Sequence, residues 1–462
     1  MRTLPLAALV LSVSLLGCGP KECVLTDPSS CPTDQVCESV QGRDKPLCFA
    51  PVTLKGKVFA LDTSSGIADA RVLAADENGA PAGTTAITDK DGAYTLRVPS
   101  TRTDEKGAFT SRKVMLRAQA KNYEPFPSGA RVSLPIDTSA ATRMKDTDPY
   151  VLQSPLTDIG LTPVMASQQN LATVTGTVEL PGEQRAVMLV LESGSGAGRT
   201  TLADANGAFT FFNVGNGTVK ISAYTRGTNY TPVDVSVSGA DVKDVQIKKA
   251  GTGTATLSGS VQLVAGANNA GTSVVLVVES TFIASLGRGE VVPGLRAPDP
   301  GVAPNISGAW TISGIPDGKY VVLAAFENDG NVRDPDPGIS GTQILHVQVS
   351  GGTLSGATSP SFKVTGAVGL VGPGVDGIEE VSATPTFSWQ AYSNADAWVL
   401  KVFDSLGNEV WSKDIADKQT VSTAYAGPAL SVGQYYQWRI VAMRRGAPTS
   451  QSEELRGLFK VK

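Results

Sequence analysis

Histidine is almost absent from this chain: His346 is the only one in 462 residues. By count, that excludes a histidine-based metal centre. It also leaves a Ser-His-Asp hydrolase a single imidazole to recruit. His346 lies in Ile344-Leu345-His346-Val347-Gln348-Val349. Alternation puts Leu345, Val347 and Val349 on one strand face, and His346 with Gln348 on the wetter one. His346 therefore reads as a surface residue. Aromatics are 6% of the chain and charged residues 18%, with no long basic run. Neutralising phosphates needs clustered Lys and Arg, so nucleic acid is not an expected partner. Beyond residue 17 no stretch approaches the roughly 20 apolar residues that span a bilayer. The five cysteines all fall within the first 48 residues, so the rest of the chain has no thiol chemistry.

What is abundant is glycine, with 49 residues, together with serine, threonine and valine. This composition fits turn-rich β-structure. The length suits about three to five domains. The expected fold class is all-β: tandem antiparallel β-sandwiches after a small disulfide-stapled N-terminal segment.

The N-terminus has the grammar of an export signal: Arg2, an uncharged apolar run from Leu4 to Leu16, then Gly17 and Cys18. Leu15-Leu16-Gly17-Cys18 resembles the lipobox of bacterial lipoproteins, with Leu16 where Ala, Ser or Thr is more usual. The resemblance implies cleavage before Cys18, a lipid anchor on Cys18 and attachment to the cell envelope. Gly19, in place of Asp, implies the outer membrane. Removing residues 1–17 takes away Arg2 and leaves 38 Lys+Arg against 43 Asp+Glu. Cys23, Cys31, Cys37 and Cys48 remain, an even number among polar residues that cannot build a core unaided. Two disulfides are expected, with three pairings open. Zinc is the competing reading, and neither the spacing nor the compartment suits it.

From residue 52 onward a pattern recurs three times. A strand with a central glycine opens each copy: Leu54-Lys55-Gly56-Lys57-Val58, Val174-Thr175-Gly176-Thr177-Val178, Leu257-Ser258-Gly259-Ser260-Val261. A turn and an aromatic follow: Asp91-Gly92-Ala93-Tyr94, Asn206-Gly207-Ala208-Phe209, Ser307-Gly308-Ala309-Trp310. Asn216-Gly217 and Asp317-Gly318 then read as hairpin turns. In order, these motifs resemble the carboxypeptidase regulatory-like domain, a transthyretin-like sandwich with a carbohydrate-binding-like architecture. The first copy carries extra sequence near Thr101–Arg112 and closes at Asp158-Ile159-Gly160-Leu161-Thr162-Pro163. The third carries an insert near Phe282–Asn305 that reads as a loop.

Four of the five tryptophans, Trp389, Trp398, Trp411 and Trp438, fall in the last part, where they read as sandwich core. Leu430-Ser431-Val432-Gly433-Gln434-Tyr435-Tyr436-Gln437-Trp438 resembles the fibronectin type III pattern. The expected division is a signal peptide at 1–17, a lipidated Cys-rich segment at 18–51, regulatory-like sandwiches at 52–165, 171–250 and 254–370, and a fibronectin type III-like sandwich at 380–462.

Chemistry is sparse. Gly194-Ser195-Gly196-Ala197-Gly198-Arg199-Thr200-Thr201 lacks the ending of a phosphate loop and precedes a strand, so it reads as a hairpin loop. Asp89-Lys90-Asp91-Gly92 starts like a calcium loop but has no bidentate Glu downstream, so it reads as a turn. Asp329, Asn331, Asp334 and Asp336 gather oxygens on one loop and form the calcium candidate. The sequons at Asn216, Asn229 and Asn305 read as incidental. No catalytic residue and no cofactor are expected. The leading reading is a non-catalytic, membrane-anchored envelope lipoprotein that presents sandwiches, stacked outward, to an unknown protein or glycan partner. Its binding loops would be the insert near 282–305 and the acidic loop at 329–336. The alternatives are a carbohydrate-binding protein using Tyr123, Tyr150, Phe126 and Tyr230, and a hydrolase without a recognisable motif.

Overall fold

The glycine and the aromatic that recur three times are cross-strand partners. Gly56 faces Tyr94, Gly176 faces Phe209 and Gly259 faces Trp310 across antiparallel pairs. In each copy a closing segment runs along the other edge of the glycine strand, pairing with it in parallel. A Cβ on the glycine would fall within 3.0 Å of a carbonyl oxygen of that segment: Thr157, Val245 and Pro360 in turn. Glycine is needed there because a neighbouring backbone occupies the space. The computed structural model describes residues 20–24, 30–76, 81–98, 100–128, 131–181, 186–194, 197–204, 206–264, 272–283, 289–299, 305–326, 344–356 and 358–462.

The chain is all-β, in two compact units. The smaller unit comprises residues up to Ala50 together with Ser100–Thr110. Its hairpin pairs Val36–Glu38 with Leu47–Phe49. The disulfides are Cys23–Cys37 and Cys31–Cys48. Cys37 and Cys48 face each other across the hairpin, yet each bonds to a cysteine upstream of it. Among the described residues the core cluster of this unit is Val40, Leu47 and Phe49. Extra sequence in the first repeat thus serves the Cys-rich segment.

Among the described residues the larger unit carries four sandwiches. In the first, one sheet centres on Val52–Ala60 and the other orders Pro81–Ile87, Arg71–Ala75, Lys113–Gln119 and Ile136–Asp137. In the second, Ala172–Val178 is central to one sheet, and Met188–Ser193 pairs with Arg199–Leu202 and Gly217–Tyr224 in the other. The third pairs a sheet centred on Ala255–Val264 with a five-stranded sheet. That sheet corrects the loop reading of the 282–305 insert, because Val291–Ala297 is its edge strand. Pro293 and Gly294 are tolerated at the edge, where the register shifts between Val275 and Val277 and Gly294 takes φ +81°. The fourth sandwich sets Tyr435–Arg444 between Ala397–Asp404 and Leu458–Val461, facing a sheet centred on Thr386–Trp389. Its core holds Trp389, Trp398 and Trp438, each at most 2% exposed.

The sandwiches of this unit do not touch only in succession. Met188, Val190 and Leu202 of the second join Val274, Leu276 and Val292 of the third in one apolar cluster. Met188–Ser193 can serve both neighbours because its alternate side chains, Leu189 and Leu191, belong to the core of the second. Arg226 locks the same pair, donating to Asp299 (2.6 Å) and Ser313 (2.7 Å). The first sandwich reaches all the others. Gln119 donates to the Thr200 carbonyl of the second (2.8 Å), Arg117 pairs with Glu290 of the third, and Val132 N–H donates to the Gly407 carbonyl of the fourth (3.0 Å). A sequential outward stack would not join the first sandwich to the third and fourth. Among the described residues no helix is long and apolar enough to cross a membrane.

Candidate functional site

A concavity lies along the seam between the first and fourth sandwiches, with a volume of about 670 Å³. Ile136, Leu152 and Leu156 contribute apolar lining, and Ile378 and Tyr435 of the fourth sandwich face them. Met144 is 96% exposed on its rim and Ile378 is 42% exposed. Across the seam Lys113 Nζ donates to the Leu455 carbonyl (2.9 Å), and Arg131 Nη2 to that of Leu406 (2.7 Å).

The charged groups at the groove hold its own loop. Asp137 accepts from Ser111 Oγ (2.5 Å) and from Ser139 N–H (2.8 Å), capping a short 3-10 turn. Burial pushes its carboxyl up, but these hydrogen bonds and nearby Lys113 outweigh burial and hold it below the usual carboxylate range. Asp137 is therefore an ionised acceptor and a poor proton donor near neutral pH. Arg143 pairs with Asp146 (3.0 Å) and lies over the Tyr150 ring, 4.6 Å from its centroid. Asp148 accepts from Lys145 N–H (3.1 Å). No histidine or cysteine lines the groove. This arrangement can hold an occupant by contact.

The residues predicted to carry function are scattered. Cys18 and the calcium candidates Asp329, Asn331, Asp334 and Asp336 lie outside the described residues. His346 stands on the exposed face of Leu345–Ser350, with Nδ1 2.5 Å from Glu279 Oε1, far along the chain from the groove-lining residues. Asp89 is engaged by its own turn: Oδ1 accepts the N–H groups of Asp91 and Ala93, both at 2.9 Å. The strands flanking the 194–198 loop, Met188–Ser193 and Arg199–Leu202, pair as a hairpin. Phe126 and Tyr230 are buried, and Tyr150 is covered by Arg143. Those rings do not offer open stacking faces. Asn229 Oδ1 accepts from Asp317 N–H (2.8 Å) and its Nδ2 donates to Thr252 (3.3 Å), so this sequon serves the junction of the second and third sandwiches.

Residues 376–456 match an immunoglobulin-domain family model, described as Rha78A-like, N-terminal immunoglobulin domain. The match covers the greater part of the fourth sandwich. No curated protein matches the chain. Among solved structures, the TIE protein of Bacillus anthracis is 10% identical, with 88% of this chain and 71% of that one covered at a TM-score of 0.16. The minor pilin GBS52 of Streptococcus agalactiae is 15% identical, with 42% and 94% covered at 0.18. Two B repeat units of the collagen binding protein of Staphylococcus aureus are 10% identical, with 89% and 99% covered at 0.17. At these scores no functional correspondence follows.

One device escaped the sequence reading. Asp104, Asp204 and Asp404 repeat the Asp89 turn, each with Oδ1 accepting the N–H groups two and four residues on. A glycine three residues after each Asp takes positive φ: Gly92, Gly107, Gly207 and Gly407. The signal was present as Asp-x-x-Gly, in which the short carboxylate replaces a backbone acceptor. At Gly407 the turn also meets the first sandwich, where a Cβ would fall within 3.0 Å of the Val132 carbonyl. Gly407→Ala should cost at least the roughly 1–2 kcal/mol of a left-handed L-residue. It should also speed hydrogen exchange at the Val132 amide, whereas an unchanged Val132 would mean that the seam does not depend on this turn.

Proposed function

We propose that this protein is a non-catalytic envelope lipoprotein, held to the membrane through lipid on Cys18, that presents a fused body of β-sandwiches to a protein partner. Two kinds of observation support the reading. The first seventeen residues and Cys18 carry an export and acylation pattern. The groove at the seam is apolar, and its charged residues are engaged in holding its own loop. The second observation carries the non-catalytic part, because acid–base work needs a group free to exchange a proton. The Gly–aromatic pairs of the first three sandwiches support a regulatory-like assignment, and the Trp-rich fourth supports a fibronectin- or immunoglobulin-like one. A glycan partner has less support, because the nominated rings Phe126 and Tyr230 are buried.

The test is fractionation of cells expressing the full chain and its Cys18→Ala variant, with protease added to intact cells. The expected result is membrane retention of the parent and release of the variant. Retention of both would sink the anchor. Digestion of the fourth sandwich in intact cells would place the partner outside the cell, and protection until the envelope is broken would place it within.

A further inference from the structure

The geometry points to a redox-gated latch in the smaller unit: its two disulfides hold Ser100–Thr110, and a dithiol that reduces them releases that segment while the sandwiches stay folded. Ser100–Thr110 leaves the first sandwich after Ala93–Val98 and returns to it at Lys113–Gln119. Within the small unit it is held by backbone pairing, Arg102 N–H donating to the Ser39 carbonyl (2.9 Å) and Gln41 N–H to the Arg102 carbonyl (2.7 Å), and by the Arg102 side chain. Arg102 is 1% exposed, and its Nε donates to Glu38 Oε2 at 2.5 Å. Nη1 donates to the Gly107 carbonyl (2.6 Å) and Nη2 to that of Ala50 (2.7 Å). Phe49 and Phe109 flank the guanidinium at 4.8 and 5.6 Å. Ser100 donates to Glu38 through N–H (3.2 Å) and Oγ (3.1 Å). Arg43 pairs with Glu105 on the surface.

Most of these partners come from the Cys-rich hairpin. That hairpin has a three-residue apolar cluster, too small to fold without staples. Each of its strands carries one cysteine of a different bridge: Cys37 in Val36–Glu38 and Cys48 in Leu47–Phe49. Each reduction moves two electrons and two protons. The dithiol attacks one sulfur, the S–S bond breaks, two protein thiols form and the reductant leaves as its own disulfide. Once both bridges open, Glu38, Phe49 and Ala50 lose the frame that aims them at Arg102. The segment then becomes an open connection between Ala93–Val98 and Lys113–Gln119 of the first sandwich.

The experiment is trypsin digestion of the full chain before and after dithiothreitol, with peptide mapping and a thiol count. The Arg102–Thr103 bond should resist while the bridges are intact. It should be cut about tenfold faster or more once four thiols appear, as expected for loss of local protection. Arg439, 6% exposed inside the fourth sandwich, serves as the internal reference and should stay uncut. The paired variants Cys23→Ser/Cys37→Ser and Cys31→Ser/Cys48→Ser together should reproduce the cut without reductant. Equal cutting at Arg102 in both states overturns the latch, as does resistance after four thiols have formed. Simultaneous opening of Arg439 also overturns it, because reduction would then unfold the whole chain.

Discussion

Gly176→Ala should destabilise the second sandwich by about 3 kcal/mol or more, the upper range for forcing atoms into a packed site. Because the second sandwich shares a core with the third, the two together melt as a larger unit, and this lowers the melting temperature by roughly 6–12 °C. The added Cβ meets the Val245 carbonyl on one side and the Phe209 ring on the other, both within 3.0 Å. The carbonyl belongs to Val242–Ile247, which pairs in parallel with the glycine strand, so backbone must move to make room. Gly56→Ala and Gly259→Ala meet the same obstacle at Thr157 and Pro360. Gly215→Ala is the control: nothing lies within 4 Å of its Cβ, so the change should stay within about 0.5 kcal/mol. The comparison needs only thermal melts of the four variants. If Gly176→Ala melts like Gly215→Ala, the closing strand does not press on the glycine. The damage should also spread to the third sandwich, because Met188 and Val190 share its core cluster.

Arg102→Ala should cost the small unit about 3–5 kcal/mol, the usual penalty for removing one member of a buried ion pair. Glu38 is 7% exposed and would be left buried without the cation that balances it. Burial already pushes its carboxyl above the usual range, with Arg102 and Ser100 pulling it back down. Removing the guanidinium leaves burial less opposed. The effect should be local: amide exchange should rise across Val36–Glu38 and Leu47–Phe49 while Tyr435–Arg444 is unchanged. Arg43→Ala is the reference, since its pairs with Glu22 and Glu105 are exposed and worth little. Matching exchange in the two variants would mean that the buried pair contributes no more than a surface one. Two disulfides closing loops with sequence separations of 14 and 17 add roughly 3 kcal/mol each by restricting the unfolded chain. The hairpin should therefore loosen without losing its covalent frame.

Much of the architecture was legible because it is local. Alternation over Val52–Ala60 and Leu345–Ser350 appears directly as the buried and exposed faces of those strands. Trp389, Trp398 and Trp438 pack as core, and Trp411 packs partly buried against it, because rings of that size find enough apolar contact inside a sandwich. The even cysteine count implied two bridges. Their pairing was not legible: Cys37 and Cys48 are neighbours across a hairpin and still bond elsewhere.

The rest was decided at long range. Thr101–Arg112 looked like an insertion into the first sandwich because it lies between two of its strands in sequence. Arg102 is instead a core residue of the small unit, since Glu38 and Phe49 surround it there. The insert at 282–305 looked like a loop because Pro293 and Gly294 break an isolated strand. Pairing with Thr272–Val278 at a sheet edge tolerates both. Thr272–Val278 is buried along its whole length, a run with no period from which to read its two neighbours. The groove at the seam is the clearest case. Ile136 and Ile378 are far apart in sequence, and neither stretch carries any mark of the other. By itself the sequence determined strand faces, turns and the number of bridges, because each depends on residues a few positions apart. Only the tertiary structure decided which surfaces meet, because complementarity between distant segments leaves no periodic trace in either one.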